Sequence, residues 1–469
     1  MTERVSWHRT KIVCTLGPAT DRPGVLERML RAGMDVARVN TAHGEPPEHA
    51  QRIRDVRELA QRLGQPVAIL IDLPGPKFRV GQLPEAERVL RVGAEVTLGE
   101  GISAIPLTHP ELIRELKPGA TVSLADGAVT LRVTSVGKGQ ASCRVVTGGV
   151  IRSGAGVNLP DSDLSISLPT PDDEEWIVFA AQQRAEWLGV SFVRNAEDVR
   201  RVRAHLTEAH RPAIIAKIEK RQALAELDSI IEAADGVMVA RGDLGVETEL
   251  AEVPLAQKRI VAAANAAARP VIVATQMLES MVDNPNPTRA EVTDVANAVL
   301  DGADAVMLSA ETAIGAFPVE AVDTLHRVLT ATEAEFPYGR TRRRTGAAAG
   351  NGVADAISQT AYQLSLDLHA KALIVPAHQL LAVVRIARFR PSAPLMVLAE
   401  SELLYRQLSL VWGVVPVRAS KLSDLASCVS LAAQLLREQQ LAGSGDLAII
   451  VRASTPDASA SDTLQVVTL

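Results

Sequence analysis

Short apolar runs alternate with longer amphipathic segments between positions 11 and 335 of the chain. The short runs have the continuous hydrophobicity of strands that are buried on both faces of a parallel sheet, and they occur at residues 12–15, 36–39, 67–71, 188–192, 213–216, 237–240, 271–274 and 305–308. Helical patterns between them include residues 23–31, 48–63, 196–208 and 319–335. Eight strand–helix units predict an α/β fold of the (β/α)8 TIM-barrel type.

The pattern changes after the third predicted strand, between residues 76 and 168. Polar and apolar residues alternate there with period two, at residues 88–92, 95–98, 121–124, 129–134 and 142–146. Turn sequences at 125–127 (Ala-Asp-Gly) and 137–139 (Gly-Lys-Gly) separate some of these runs. Alternation with turns predicts an inserted antiparallel β-barrel domain, and its place in a top-face loop of the large barrel suits a lid.

The C-terminal part returns to alternating strands and helices after an arginine-rich stretch at 339–350. We predict that this stretch is a solvated linker; an anion site is the alternative. Strand patterns at residues 372–375, 395–398, 414–417, 447–451 and 464–467 predict a doubly wound α/β domain, without the glycine fingerprint of dinucleotide binding. The predicted boundaries are barrel 1–75, lid 76–168, barrel 169–338, linker 339–350 and C-terminal domain 351–469.

Composition narrows the function classes. The 469 residues carry a formal net charge of −6, which gives no reason to expect nucleic acid or an anionic membrane as a partner. We find no signal-peptide pattern and no apolar run that could span a bilayer. The three cysteines lie far apart, so we expect reduced thiols in a cytoplasmic protein.

Polar residues that could take part in binding or catalysis lie where the predicted barrel strands end. In chain order they are Arg38, Asn40, Asp72, Lys77, Arg79, Ser191, Arg194, Lys217, Glu219, Asp243, Thr275, Gln276, Ser309 and Glu311. The carboxyl ends of barrel strands are where ligands bind, and we expect these side chains at one rim. Basic groups beside carboxylates suit a phosphorylated substrate and Mg²⁺.

Long contiguous motifs carry a family resemblance. They are Arg-Thr-Lys-Ile-Val-Cys-Thr-Leu-Gly-Pro-Ala-Thr (9–20), Ala-Gly-Met-Asp-Val-Ala-Arg-Val-Asn (32–40), Gly-Val-Asn-Leu-Pro (156–160), Lys-Ile-Glu (217–219), Val-Ala-Arg-Gly-Asp-Leu-Gly (239–245), Ala-Thr-Gln-Met-Leu-Glu-Ser-Met (274–281), Pro-Thr-Arg-Ala-Glu (287–291) and Asp-Val-Ala-Asn-Ala-Val-Leu-Asp-Gly-Ala-Asp (294–304). Over nearly its whole length the chain resembles the pyruvate kinase family. The resemblance implies transfer of the phosphoryl group of phosphoenolpyruvate to ADP, with Mg²⁺ or Mn²⁺ as cofactor, in a cytoplasmic homotetramer.

The same resemblance implies roles for individual residues. Glu219 and Asp243 match the metal ligands, and Lys217 matches the lysine that stabilises the transferring phosphoryl group and the enolate. Arg38 matches the arginine that binds the phosphoryl group, and Arg79 occupies the position of the family's second arginine. The remaining matches are the backbone N–H groups of Gly242 and Asp243 for the substrate carboxylate, Ser191 in the substrate site, and Thr275, with water or Ser309, for the proton route.

The monovalent-cation site departs from the family pattern. Members that need K⁺ hold it with side chains that include an Asn, a Ser and an Asp, with a Glu a few residues later. Here Asn40 and Asp72 remain, but Ala42 replaces the serine and Lys77 replaces the glutamate. We predict that the Lys77 ammonium takes the place of K⁺, so that K⁺ is not required.

Two further departures concern the nucleotide and the effector. The family's lid lysine before Gly-Val-Asn-Leu-Pro is missing from Ser153-Gly-Ala-Gly156, so either Arg152 or Lys138 compensates or ADP binds weakly. The loop at 376–382 has no hydroxyls and no glycine, and we predict no activation by fructose 1,6-bisphosphate. The family's Ser-Gly-Glu-Thr also has alanine at its second position here, next to Ser309.

Two other function classes remain open at this point. A lysine-dependent aldolase would form a Schiff base on Lys217 and would need no metal, although Glu219 and Asp243 beside the lysine argue against it. A non-catalytic homologue that binds phosphoenolpyruvate is the second alternative. The intact strand-end residues argue against it, and the lid without its lysine argues mildly for it.

Overall fold

The computed structural model describes residues 7–101, 103–162, 167–207, 210–338, 352–422, 424–453 and 461–469. The stretch predicted as a linker, 339–350, lies outside these residues. The strands are β1 (Lys11–Thr15), β2 (Val36–Asn40), β3 (Ala68–Asp72), β4 (Glu87–Leu90), β5 (Glu95–Gly99), β6 (Thr121–Leu124), β7 (Val129–Gly137), β8 (Gln140–Thr147), β9 (Gly149–Arg152), β10 (Val157–Asn158), β11 (Trp187–Val190), β12 (Ala213–Ile218), β13 (Gly236–Ala240), β14 (Val271–Ala274), β15 (Ala305–Leu308), β16 (Ala372–Pro376), β17 (Leu395–Ala399), β18 (Val414–Arg418), β19 (Leu447–Arg452) and β20 (Thr463–Thr468).

The α-helices of the described residues connect these strands. They are α1 (Val25–Ala32), α2 (Pro46–Leu63), α3 (Pro171–Gln182), α4 (Ala196–Ala204), α5 (Arg221–Ala225), α6 (Leu227–Ala233), α7 (Arg241–Glu247), α8 (Val253–Ala266), α9 (Arg289–Asp301), α10 (Ala310–Ala313), α11 (Pro318–Ala334), α12 (Val353–Asp367), α13 (Leu380–Ala387), α14 (Glu402–Gln407) and α15 (Leu425–Glu438). Short 3₁₀ helices occur at Pro110–Glu115, Leu250–Glu252, Glu279–Val282 and Leu408–Leu410.

Eight parallel strands close into the predicted TIM barrel, in the order β1-β15-β14-β13-β12-β11-β3-β2. Side chains such as Leu70, Trp187, Ile215 and Met238 form one fully buried cluster. Their strand neighbours, such as Ile69 and Ile214, belong to a second cluster that also contains side chains of the surrounding helices. Successive residues of a barrel strand face the interior and the helices in turn, so the two clusters identify the direction of each side chain.

The inserted lid follows β3, as the sequence pattern predicts. Five of its strands form an antiparallel sheet in the order β10-β6-β7-β8-β5, and β4 pairs antiparallel with β9. Its own core includes Leu98, Leu131, Cys143 and Ile151, all fully buried. The lid therefore has a separate hydrophobic core. It is joined to the barrel after the end of β3 and before the start of α3.

The C-terminal domain is a five-stranded sheet in the order β18-β17-β16-β19-β20, with only β20 antiparallel. Separate apolar clusters cover its two faces, as expected for a doubly wound sheet. A buried ion pair joins this domain to the barrel, with Arg390 Nη1 2.8 Å from Asp304 Oδ1. Across the described residues no helix is both long enough and apolar enough to pass through a bilayer.

Candidate active site

The interior-facing positions of the barrel strands continue upward into the site. Every second residue faces the interior, so Leu70 leads to Asp72 and Ile215 leads to Lys217. One step further along the same column lies Glu219, directly after β12. The same alternation from Met307 places Ser309 at the end of β15. The barrel thus brings these polar side chains together at its C-terminal end, as expected.

Arg38 is held by two neighbours. Its Nε and Nη2 atoms donate to Asp72 Oδ2 at 2.8 and 2.6 Å, and its Nη1 donates to Thr15 Oγ1 at 2.9 Å. A guanidinium carries more N–H donors than these bonds use, so the group keeps donors for a substrate anion. The side chain is oriented before any ligand binds.

Lys217 lies at the centre of the buried charges. Its ammonium donates to Ser191 Oγ at 2.7 Å and lies 2.8 Å from Glu219 Oε1 and 3.2 Å from Asp72 Oδ1. Burial acts to lower the pKa of Lys217, but the Asp72 and Glu219 carboxylates outweigh it and raise the pKa above its usual value. In turn, Lys217 and Arg38 outweigh burial at Asp72 and hold the pKa of that carboxyl low. Lys217 and Asp72 are therefore both charged at neutral pH.

Glu219 and Asp243 form a pair of acids suited to a divalent cation. The Phe192 N–H donates to Glu219 Oε2 at 2.9 Å, and the buried Oε1 is paired with the Lys217 ammonium at 2.8 Å. Burial, followed by repulsion from Glu219, raises the pKa of Asp243 to about 7. Because Mg²⁺ prefers a few carboxylate oxygens and retains waters, this donor set fits it, with further ligands from substrate and water. Among the described residues, no group of three or more His, Cys, Asp or Glu side chains is arranged so that it could hold a metal ion without further ligands.

Close packing shapes the loops that carry these groups. Phe192 adopts a positive φ of 57°, which orients its N–H toward Glu219. The φ of Gly75 is 61°, and a Cβ there would lie 2.7 Å from Phe192 Cδ2 and 3.0 Å from Ser191 Cβ. Only glycine can occupy that position without displacing the two residues that position Glu219 and Lys217.

Thr275 is anchored from both sides. Its Oγ1 donates to Ala274 O at 2.6 Å and accepts the Gly242 N–H at 2.8 Å. Its φ is +66°, an unusual value for a β-branched residue, and the Arg241 guanidinium donates to its carbonyl at 2.5 Å. Backbone strain of this kind persists only where neighbours hold it, and Arg241 supplies that support.

Lys77 reaches the loop after β2. Its ammonium donates to Ala42 O at 2.9 Å, and Asn40 Oδ1 accepts the Ala42 N–H at 3.2 Å. Burial, followed by the charge of Arg79, lowers the pKa of Lys77 below its usual value. The structure thus places Lys77 with Asn40, while Asp72 is bonded to Arg38 and Lys217.

A cavity of about 560 Å³ lies between the barrel end and the lid. Its lining includes Lys77, Arg79 and Asp243 from the predicted set. Arg79 Nη1 donates to Gly154 O of the lid at 2.7 Å. The cavity therefore extends from Asp243 to the lid loop at residues 154–156.

Some strand-end residues do not line the cavity and instead bond neighbouring side chains or backbone groups. Arg194 bonds Asp198 on α4, and Glu311 accepts the N–H groups of Leu278 and Ser309. Ser309 Oγ is buried and has no hydrogen-bond partner among the described residues. Gln276 follows Thr275 with a positive φ of 55° and does not line the cavity.

Other residues of the cavity were not predicted from the sequence, notably His43, Asp126, Phe192 and Lys220. Lys220 is out of phase with Lys217 and Glu219, so period-two reasoning directs it away from the barrel interior. Its position directly after two charged strand-end residues is the one signal that could have identified it.

Comparison with known protein families gives two matches. The family model for the pyruvate kinase barrel domain matches residues 7–322, and the model for the pyruvate kinase alpha/beta domain matches residues 355–467. Together these matches cover the barrel with its lid and the C-terminal domain.

Several named proteins are similar over most of their length. A pyruvate kinase of Thermotoga maritima is 39% identical over 465 residues, which are 97% of this chain and 98% of that protein. One of Methylorubrum extorquens is 41% identical over 448 residues, with 94% and 93% covered. One of Geobacillus stearothermophilus is 40% identical over 452 residues, with 94% and 77% covered.

Proposed function

The chain belongs to the pyruvate kinase family and is a phosphotransferase, and from that premise we propose how its cleft moves the phosphoryl group of phosphoenolpyruvate to ADP. The observation that carries the proposal is the buried set of charges in which Lys217 lies between Asp72 and Glu219. This set provides fixed positive charge where negative charge develops during the reaction.

Arg38 and Arg79 bind the phosphoryl group of the substrate in this proposal. The support is geometric, because Arg38 is oriented by Asp72 and Thr15, and Arg79 lines the cavity. The N–H groups of Gly242 and Asp243 receive the substrate carboxylate. Since the Gly242 N–H donates to Thr275 Oγ1 in this structure, substrate binding exchanges or shares that bond.

Glu219 and Asp243 would hold the Mg²⁺ that the family generally needs. When bound, this ion supplies positive charge to the oxygens of the transferring group. Burial and the neighbouring Glu219 carboxylate raise the pKa of Asp243 to about 7, and a divalent cation held by both carboxylates would offset this cost, which supports the assignment.

The reaction breaks the bond between phosphorus and the enol oxygen of the substrate and forms a bond from phosphorus to a terminal oxygen of ADP. Lys217 stabilises the negative charge left on the enolate oxygen. Thr275, with water or Ser309, delivers a proton to the methylene carbon, which gives pyruvate. Ser191 positions Lys217 by accepting one of its hydrogen bonds.

The charge state of Lys217 separates this function from the aldolase alternative. A Schiff base requires a neutral amine, whereas Asp72 and Glu219 raise the pKa of Lys217. This environment suits an electrostatic role and disfavours a nucleophilic one.

Lys77 replaces K⁺ in our proposal. Its contact with Ala42 O and its place beside Asn40 support this, because a lysine provides a unit positive charge without a free ion. Replacement of K⁺ by tetramethylammonium should then leave turnover unchanged, and a collapse of turnover would refute the idea.

The finer properties of the protein rest on family resemblance. We propose a cytoplasmic homotetramer, and the three buried free thiols suit a reducing compartment. The loop at 376–382 leads us to propose that fructose 1,6-bisphosphate does not activate the enzyme. A large fall in the half-saturating phosphoenolpyruvate concentration on its addition would contradict this.

A coupled assay tests the function directly. Phosphoenolpyruvate, ADP and Mg²⁺ should yield pyruvate at the same rate with and without K⁺. Binding of phosphoenolpyruvate without pyruvate formation would favour the non-catalytic homologue. Covalent trapping of a keto acid on Lys217 by borohydride would favour the aldolase.

A further inference from the structure

The lid loop of the cleft provides no cation for the nucleotide. Residues 153–156 carry two glycines, a serine and an alanine, yet this loop borders the cavity. A nucleoside diphosphate brings several negative charges into such a cavity, and positive groups in its wall must balance them. Four lysine and arginine side chains line the cavity among the described residues: Lys77, Arg79, Arg152 and Lys220.

Three of these cations are committed elsewhere or exposed. In the proposed function Lys77 replaces K⁺ and Arg79 binds the phosphoryl group of phosphoenolpyruvate, and each also donates to a backbone carbonyl. The Arg152 side chain is 74% exposed, and its ion pair with Glu87 is also exposed. An exposed arginine in water contributes little to anion binding compared with a buried one.

Lys220 differs from these three. It is only 5% exposed, and its ammonium makes one hydrogen bond among the described residues, to Glu247 Oε1 at 2.7 Å. An ammonium has three N–H donors, so two of them have no acceptor among the described residues. Because buried donors without partners are costly, a ligand that accepts from them gains affinity.

The surroundings of Lys220 place it at the junction between the lid and the barrel. The ring of Phe192 lies 5.6 Å from its Nζ, and Asp243 lines the same cavity. On the lid side, Asn158 Nδ2 approaches Glu247 Oε1 at 3.5 Å. Lys220 therefore lies where the lid strand β10 meets the barrel, next to the acid pair.

We propose that Lys220 binds phosphate oxygens of the nucleotide and takes the place of the missing lid lysine. Lys220 lines the cavity, and its hydrogen bond to Glu247 orients the ammonium. The proposal rests on the proposed function, because it assigns a residue to the nucleotide of that reaction. It gives the barrel a charge that the family pattern places on the lid.

Titration calorimetry of MgADP binding to the full-length protein tests the proposal. Lys220→Met should raise the dissociation constant for MgADP roughly tenfold or more, the value of one lost charge-assisted hydrogen bond. The dissociation constant for phosphoenolpyruvate should change far less. Lys220→Arg, which keeps the charge, should recover much of the MgADP affinity. Equal losses for both ligands, or none for either, would overturn the assignment.

Glu247→Gln separates ligand binding from a purely structural role, and it does not depend on the folding of the Lys220 variants. This change leaves the ammonium in place and removes its counter-ion. If Lys220 binds phosphate, MgADP affinity should be retained or increased. If Lys220 serves only to hold Glu247 at the lid, Glu247→Gln should weaken MgADP as strongly as Lys220→Met does, and the proposal fails.

Lys138→Met is the matched control. Lys138 is exposed, follows directly after the nine-residue strand β7 and does not line the cavity. Its loss should leave the MgADP dissociation constant unchanged. If the wild-type protein forms no pyruvate, the proposed function fails. Pyruvate formation with unaltered MgADP binding in Lys220→Met refutes this inference alone.

Discussion

The barrel side and the lid side of the cleft are built differently. On the barrel side, Arg38, Asp72 and Lys217 are 8%, 1% and 9% exposed and are bonded to one another or to a shared partner. On the lid side, Asp126 is exposed and the Arg152 side chain is 74% exposed. Electrostatic interactions between buried charges are stronger than those between exposed charges, because water screens the exposed ones.

This difference indicates a division of labour. In our proposal, the barrel holds in fixed positions the groups that act on the transferring phosphoryl group. The lid contributes backbone, such as the Gly154 carbonyl that Arg79 contacts, and closes the cavity from above. Substitutions on the barrel side should therefore have much larger effects than substitutions on the lid side.

Lys217→Met should have the largest effect. Loss of a buried charge aimed at the reaction centre typically lowers kcat by about 10²–10³-fold, and we expect the upper end here. Pyruvate formation at saturating phosphoenolpyruvate and ADP measures it. A decrease of only a few-fold would place the chemistry elsewhere in the molecule.

Asp72→Asn should have the next largest effect, since it removes the charge that orients Arg38 and balances Lys217. Loss of one partner of a buried ion pair costs about 3–5 kcal/mol of unfolding free energy. Urea denaturation should show this loss, together with a decrease in kcat/KM for phosphoenolpyruvate. Unchanged stability would mean that the network is less coupled than its distances indicate.

Lys77→Glu should make the enzyme dependent on K⁺. With tetramethylammonium as the only monovalent cation, turnover should decrease at least about tenfold, and K⁺ should restore it. The wild-type protein, titrated in parallel, should show no response to K⁺. A variant that stays active without K⁺ would show that Lys77 is not the substitute.

Ala155→Lys should have the smallest effect, because it adds a cation to the solvent-accessible lid loop. A partly screened charge is worth up to about 1 kcal/mol, so KM for ADP should decrease by less than about fivefold. A much larger decrease would show that the lid side is less exposed to solvent during turnover than we infer.

Much of the fold follows from patterning. The eight barrel strands appear where apolar runs predict them, and β14 and β15 match residues 271–274 and 305–308 without any shift. The lid insertion after β3 and the five C-terminal strands are likewise at the predicted places. Apolar runs this short favour a buried strand over a buried helix, because a helix needs a longer run and the flanking turn residues end the element.

The hydrophobic pattern predicts only part of the site. The alternation of side chains along each strand correctly places Asp72, Lys217 and Glu219 together, because they continue the interior-facing positions of β3 and β12. It cannot foresee the left-handed backbone of Thr275, which depends on contacts from Arg241. Equally, Lys220 lies beyond the strand, where alternation no longer determines direction.

The central claim is that the acid pair at the barrel end holds the metal at the reaction centre. A crystal grown with Mn²⁺ and oxalate, measured at a wavelength where manganese scatters anomalously, tests it most directly. The account predicts one strong anomalous peak bonded to carboxylate oxygens of both Glu219 and Asp243, with oxalate completing the site. A peak elsewhere, with these two side chains free of metal, would contradict it.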